Sequence, residues 1–379
     1  MNILFVAAWY PSKLNPKNGN FIEQHALAVK SIGCNVIVAH LIYSNRILVP
    51  EIKVVFQNEI MVYQVQIPRL LKNSERVQAF MFKRLISKLD NVGFAPDIIH
   101  GHVVYPAGQL ALFLKNHFEV PLVYTEHWSG YKAVNSDLFT DDVAAMATEV
   151  LSNTDLILPV SEDLGKNMID KGFTGNYSVV NNTVNTSVFY PEKRYQSEVF
   201  RFLHISNFEP RAKNTEGIVS AFIKGEFEGA TLTIAGDGDI EKMRKYAESL
   251  DADISQIEFI GALEYEEVAD LMRNSDCFVL FSNFENLPCV IAEAHCCGLP
   301  VLATDVGGIP EMMDETNGFL IEPNDEPGLI AGMQNMVEKK MHFNRIGISN
   351  VASKRYSFEA IGREFLKLYT ALLQGHLLL

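Results

Sequence analysis

The chain has 379 residues, 48% of them hydrophobic and 21% charged, with a formal net charge of −14. That length lies above the size at which one hydrophobic core usually stops growing, so two domains are expected, and the excess of acid argues against a surface built to track a nucleic-acid backbone. No stretch approaches the roughly 20 apolar residues needed to span a bilayer.

The opening run, Ile3-Leu4-Phe5-Val6, is apolar at once and lacks a positive leader, so it reads as a strand and not as a signal peptide. Strands are expected over 3–9, 36–42, 97–102, 122–127, 156–161 and 177–182, with helices over 21–32, 75–89 and 143–151. The polar segment 191–197 interrupts this alternation, which then resumes with strands over 202–206, 231–235, 257–260, 277–282 and 300–304. A last helical pattern covers 358–372. Alternating strands and helices predict buried parallel sheets with helices on both faces. The fold class is therefore α/β, with two doubly wound, Rossmann-like domains. Cys34, Cys277, Cys289, Cys296 and Cys297 form no C-x-x-C pair and read as core residues in a reduced compartment.

In a doubly wound sheet, ligands bind at the carboxyl ends of the strands. The richest such loop is Ser282-Asn283-Phe284-Glu285-Asn286-Leu287-Pro288. Pro288 suits the first turn of a helix, where its missing N–H is an orphan anyway. A helix start offers free N–H groups and partial positive charge, which fit a diphosphate. Glu293 lies about five residues further on, roughly 8 Å along the axis, about the reach from a diphosphate to a ribose. Its neighbours Ile291, Ala292, Ala294 and Cys296 are small or apolar, so the charge should have a partner. Glu285 stands ahead of the helix, where the sugar end of a donor would lie.

Glu285 and Glu293 are separated by seven residues and followed by Gly298-Leu299-Pro300-Val301 and Gly307-Gly308-Ile309-Pro310-Glu311. This arrangement resembles the family 4 retaining glycosyltransferases, which have the GT-B fold, and the resemblance covers nearly the whole chain. It implies two Rossmann-like domains facing a central cleft: an acceptor-side domain over 1–190, a nucleotide-sugar domain over 198–356, and a helix in 357–379 that crosses back to the first. It also implies domain closure that excludes water.

Further segments carry the same resemblance. His204–Asn214 is similar to the family's phosphate loop: Lys213 matches its lysine, Asn207 stands where an arginine is usual, and Arg211 is a candidate replacement. Fixed cations there would stabilise a departing nucleoside diphosphate. Gly19 matches a glycine loop that closes on the donor phosphate. The turn Gly261-Ala262-Leu263 matches the position that holds the base. Asn286, Leu287 and Pro288 would line the donor. His127 matches a histidine near the transferred sugar, and His102 with Tyr105 lies in a segment on the acceptor side. His100 and His102 invite a metal reading, but no third ligand has suitable spacing, so none is assigned.

The resemblance implies a hexosyl- or N-acetylhexosaminyl-transferase that needs no obligatory metal or cofactor. It would move a sugar from a nucleotide diphosphate to an acceptor hydroxyl with retention, in polysaccharide or lipid-linked glycan synthesis. The alternatives are a nucleotide-sugar epimerase, for which no base can be assigned, an NAD oxidoreductase, for which Gly236-Asp237-Gly238 lacks a third glycine, and a non-catalytic sugar-binding protein. Residues 69–88 hold Arg69, Lys72, Arg76, Lys83, Arg84 and Lys88, interleaved with Phe80, Met81 and Leu85. This basic helix fits an anionic membrane surface and a solvated face equally. The expected location is cytoplasmic, with peripheral association at the inner face of the membrane.

Overall fold

The computed structural model describes residues 1–193, 197–339 and 343–375. Residues 194–196 of the polar segment, and 376–379 of the terminal stretch, lie outside the described residues. The chain divides into two compact units, Met1–Thr183 with Phe358–Leu379, and Val184–Ser357.

In chain order the first unit contains β1 (Asn2–Ala7), α1 (Asn20–Ser31), β2 (Asn35–Ser44), β3 (Glu51–Gln57), β4 (Ile60–Pro68), α2 (Glu75–Asn91), β5 (Ile98–His102), α3 (Val104–Phe118), β6 (Leu122–Glu126), α4 (Asp141–Ser152), β7 (Leu156–Pro159) and α5 (Glu162–Asp170). Its seven-stranded sheet has the order β3-β4-β2-β1-β5-β6-β7, and only β3 runs antiparallel. The second unit contains β8 (Phe200–Ile205), α6 (Pro210–Lys213), α7 (Thr215–Gly225), β9 (Ala230–Ala235), α8 (Ile240–Glu248), β10 (Ile257–Ile260), α9 (Tyr265–Asn274), β11 (Cys277–Leu280), α10 (Cys289–Cys296), β12 (Val301–Thr304), β13 (Gly318–Ile321), α11 (Glu326–Lys339) and α12 (Arg345–Tyr356). Its six parallel strands follow the order β10-β9-β8-β11-β12-β13. The last helix, α13 (Phe358–Leu373), packs on α1 in the first unit.

The parallel strands are buried on both faces, which explains their unbroken apolar runs: Ile3, Leu4, Phe5 and Val6 are fully buried, as are Phe278, Val279 and Leu280. In both sheets, strand order reverses beside the first strand of the unit. Connections therefore leave in opposite directions from β1 and β5, and from β8 and β11, opening a crevice at each pair of carboxyl ends.

The structure departs from the sequence reading at three places. The hairpin β3–β4 was not anticipated. Asn58 and Glu59 make its turn with φ of 45° and 62°, a two-residue turn without the glycine that usually marks it. The expected strand 177–182 is only an isolated parallel bridge, Tyr177 to Ile157: Ser178 N and Val180 N still bond Ile157 O and Pro159 O, and beyond them the Asn181 side chain donates to Val160 O at 2.9 Å. The units change at Thr183/Val184, ahead of the expected limit at residue 190. Val184 N bonds Tyr356 O at 2.7 Å, Arg273 Nη1 bonds Val188 O at 2.8 Å, and Phe189 packs edge-on against Tyr265, so this stretch belongs to the second unit.

Candidate active site

The crevice of the second unit is built by the loops after β8 and β11. Phe281 and Ser282 continue β11 into the interior, and Thr304 Oγ1 donates to Ser282 O at 2.7 Å. Asn283 then ties the two loops together, its N bonding Ala212 O at 2.7 Å and its Nδ2 bonding Arg211 O at 3.0 Å. This clamp places Lys213, at the end of α6, against Glu285. The two form an ion pair, and Ser282 Oγ donates to the same carboxylate oxygen at 2.8 Å. Glu285 is only 9% exposed. A carboxylate this buried persists because the lysine and hydroxyl replace the water it has lost. Asn286 O accepts from Gly308 N at 2.8 Å, so the loop after β12 braces the same turn. Leu287 is buried.

Pro288 caps α10 instead of occupying its first turn, and Ile291 N bonds Pro288 O at 3.2 Å. Glu293 projects from this helix beside buried Ala292 and Ala294. The expected partner is absent: among the described residues no ion pair or hydrogen bond engages its side chain. Burial pushes its carboxyl up to about 7. The site thus holds one carboxylate that is satisfied internally and one that lacks a partner for its charge.

The other residues expected on the donor side divide. Asn207 is exposed, and its Oδ1 accepts Glu209 N at 3.2 Å, so it shapes the turn into α6. Arg211 is exposed on α6, two residues from Lys213. Gly261, Ala262 and Leu263 follow β10 at the same carboxyl edge, with the first two exposed. Gly236 serves packing: its φ is 154°, and an added Cβ would fall 1.7 Å from Ser206 O. His204, unassigned from the sequence, spans the strands of the crevice, bonding Val279 O and Ser206 Oγ, each at 2.9 Å.

In the first unit the centre is Glu126, the last residue of β6. It is 1% exposed. Its Oε1 accepts His127 N at 2.8 Å and Trp128 N at 2.9 Å, and its Oε2 accepts Val104 N and Tyr131 Oη, each at 3.2 Å. Burial still holds its carboxyl above the usual range. Glu126 therefore fixes the loop that carries His127 to the start of α3. Val103, between β5 and α3, has φ 57°, an uncommon conformation for a β-branched residue and one typical of functional junctions.

His102 and His127 share a hydrogen bond between Nδ1 and Nε2 at 3.2 Å. Burial, reinforced by neighbouring imidazoles, holds both well below the usual histidine range, so both are neutral near pH 7. His100 is a structural residue, bonded to Tyr369 Oη of α13 at 2.6 Å and to Thr125 Oγ1 at 2.7 Å. The third imidazole that sequence spacing did not supply is His25 on α1: one nitrogen from each of His25, His102 and His127 lies within 4.8 Å of the others. Tyr105 pairs with Lys72 and lines a pocket of about 300 Å³ with Tyr43, Gln78, Gln109 and Glu149. Gly19 caps α1 with φ 74°, and what approaches it is its own chain: an added Cβ would lie 2.4 Å from the Trp9 carbonyl carbon. On α2, Met81 and Leu85 face inward, whereas Phe80 is 59% exposed and Leu70, just before the helix, 96% exposed.

Residues 20–188 match the family described as Glycosyltransferase Family 4, and residues 199–339 match Glycosyl transferases group 1. An uncharacterized glycosyltransferase of Methanocaldococcus jannaschii is 28% identical over 73% of this chain and 76% of its own. N-acetyl-alpha-D-glucosaminyl L-malate synthase of Bacillus anthracis is 28% identical over 65% of this chain and 67% of its own. Among solved structures, Anabaena HepE in complex with UDP and glucose superposes with a TM-score of 0.75 at 18% identity, covering 98% of this chain and 100% of that one, a likeness of fold. Each half of the chain matches a glycosyltransferase family model, and each has loops at a strand-order reversal. The chain thus belongs to the group 1, family 4 glycosyltransferases and has the GT-B fold.

Proposed function

We propose that this glycosyltransferase takes its sugar from a nucleoside diphosphate and transfers it with retention of configuration. The observation that carries the reading is the pair of unlike carboxylates on one loop and helix: Glu285 paired with Lys213, and Glu293 without a partner for its charge. Lys213 supplies positive charge where a diphosphate leaves, with Arg211 as the second cation, and the start of α10 adds its free N–H groups. Glu285 orients the sugar hydroxyls while its charge is held by Lys213 and Ser282. Glu293 accepts hydrogen bonds from the ribose diol, which would replace the hydration it lacks. Asn286, Leu287, Pro288 and the 261–263 turn complete the donor side. A solved relative of the same fold binds UDP and glucose, which supports a nucleotide-sugar donor. His127, a neutral imidazole, addresses the sugar end, and His102 and Tyr105 belong to the acceptor side. Among these assignments no step calls for a metal.

The test is incubation with labelled UDP-, GDP- and ADP-sugars. Transfer, or slow donor hydrolysis, is expected. Epimer formation without acceptor would sink the reading.

The acceptor we infer is a polysaccharide or lipid-linked saccharide reached at an anionic membrane surface, because Leu70 and Phe80 are exposed among Arg69, Arg76, Lys83 and Arg84. No helix among the described residues is long and apolar enough to cross a membrane. Sedimentation with anionic vesicles should be lost in Leu70→Ser/Phe80→Ser, and equal binding to neutral vesicles would refute the docking.

A further inference from the structure

We propose that His25, His102 and His127 form a binding site for one divalent transition-metal ion, of the class that prefers imidazole nitrogen and for which Zn²⁺ is the probe. The three residues come from α1, the end of β5 and the loop after β6, and their convergence is invisible in spacing along the chain.

The geometry is close to what such an ion needs. With Zn–N distances of about 2.0–2.1 Å, a tetrahedral site places its nitrogens about 3.3 Å apart. His102 Nδ1 and His127 Nε2 already stand 3.2 Å apart. One nitrogen from each ring lies within 4.8 Å of the others, so the third closes by at most about 1.5 Å to reach the tetrahedral spacing.

The surroundings fit a metal-binding imidazole. His25 Nε2 lies 3.2 Å from Asn181 O, which fixes the proton on Nε2 and leaves Nδ1 with a bare lone pair. That Nδ1 is buried and has no partner among the described residues, and the same holds for His102 Nε2. Metal ligation requires the neutral imidazole. No net proton release is needed, because the proton shared between His102 and His127 can move to the outer nitrogen of its ring. Three protein ligands would leave a fourth position of a tetrahedral ion for water. The three ligands include no oxygen donor, which disfavours Mg²⁺ and Ca²⁺.

The experiment is titration of the metal-stripped full chain, with Zn²⁺ by calorimetry and with Co²⁺ by optical absorption. One equivalent should bind. Co²⁺ should give the intense visible bands of a low-coordinate nitrogen site, with no thiolate charge-transfer band from the cysteines. His25→Gln and His102→Gln should each weaken Zn²⁺ binding at least about tenfold, whereas exposed His117→Gln should not. Failure to bind one equivalent, a thiolate band, equal competition by Mg²⁺, or unchanged affinity in both variants would each overturn the proposal. Where a variant fails to fold, the wild-type Co²⁺ spectrum decides. The readout is binding, so its failure leaves the transferase reading untouched.

Discussion

Replacing Glu293 with glutamine should separate stability from nucleotide binding. Its carboxyl titrates at about 7 against an ordinary value of 4.5. A folded-state value raised above the unfolded one means the stabilising form is the protonated one. Its contribution is full below 4.5 and is lost as pH rises through 7. The gap corresponds to about 3 kcal/mol at full ionisation, and about 1–3 kcal/mol once partial exposure of the group is allowed for. Glu293→Gln keeps the shape and removes the charge. At pH 8 the ligand-free variant should therefore melt higher than the wild type, by up to roughly 10 °C, and the difference should vanish near pH 4.5. Nucleotide binding should move the other way. Hydrogen bonds to a charged acceptor contribute about 1.5–3 kcal/mol, so affinity for the matching nucleoside diphosphate should fall about 10- to 100-fold. In the wild type, ribose hydroxyls would draw the carboxyl toward its ionised form, so affinity should weaken as pH drops below 7. Thermal melts from pH 4.5 to 8 and calorimetric titration with UDP, GDP and ADP read all of these. Equal nucleotide affinity in variant and wild type would refute the ribose role, and identical melting profiles would refute the buried-charge argument.

Glu285→Gln should lower turnover about 100-fold while changing nucleotide affinity little, as expected for a group that orients the sugar; a loss confined to affinity would contradict it. Lys213→Met should cost about 3 kcal/mol in urea denaturation, because Glu285 would be left as an uncompensated charge, and Glu285→Leu added to it should recover most of that. Gly19→Ala should destabilise the first unit by about 2 kcal/mol or more, since the new Cβ meets Trp9 backbone where φ is positive; an unchanged melt would show that the loop can yield. Tyr369→Phe should cost about 1–3 kcal/mol by stranding His100 Nδ1, and a neutral effect would mean the ring finds another partner.

The parts of the fold legible in the sequence were those with a strong local cause. Buried parallel strands such as β1 and β11 announce themselves because both faces demand apolar residues. Glu285, Lys213 and Glu293 could be proposed from loop position and motif. The β3–β4 hairpin escaped because its turn uses Asn58-Glu59 and its edge strand is half exposed. The four-residue β13 is too short to show a period. His25 takes its significance from partners on other elements, and Glu126 from joining its own following loop to Val104 N of α3, a link that no local pattern encodes. The partner expected at Glu293 is missing because its neighbours on α10, Ala292 and Ala294 beside it among them, bring no cation to it.

The path of the chain also sets an order of assembly. Val184–Ser357 is contiguous, so that unit can close as soon as it has been synthesised. The first unit cannot: Phe365 and Tyr369 of α13 pack against His25 and His100, and they are translated only after the entire second unit. Until then the imidazole cluster and the outer side of α1 stay uncovered. A nascent chain stalled before residue 358 would hold a closed second unit and a first unit whose α1 face and imidazole cluster lack the cover that Phe365 and Tyr369 provide.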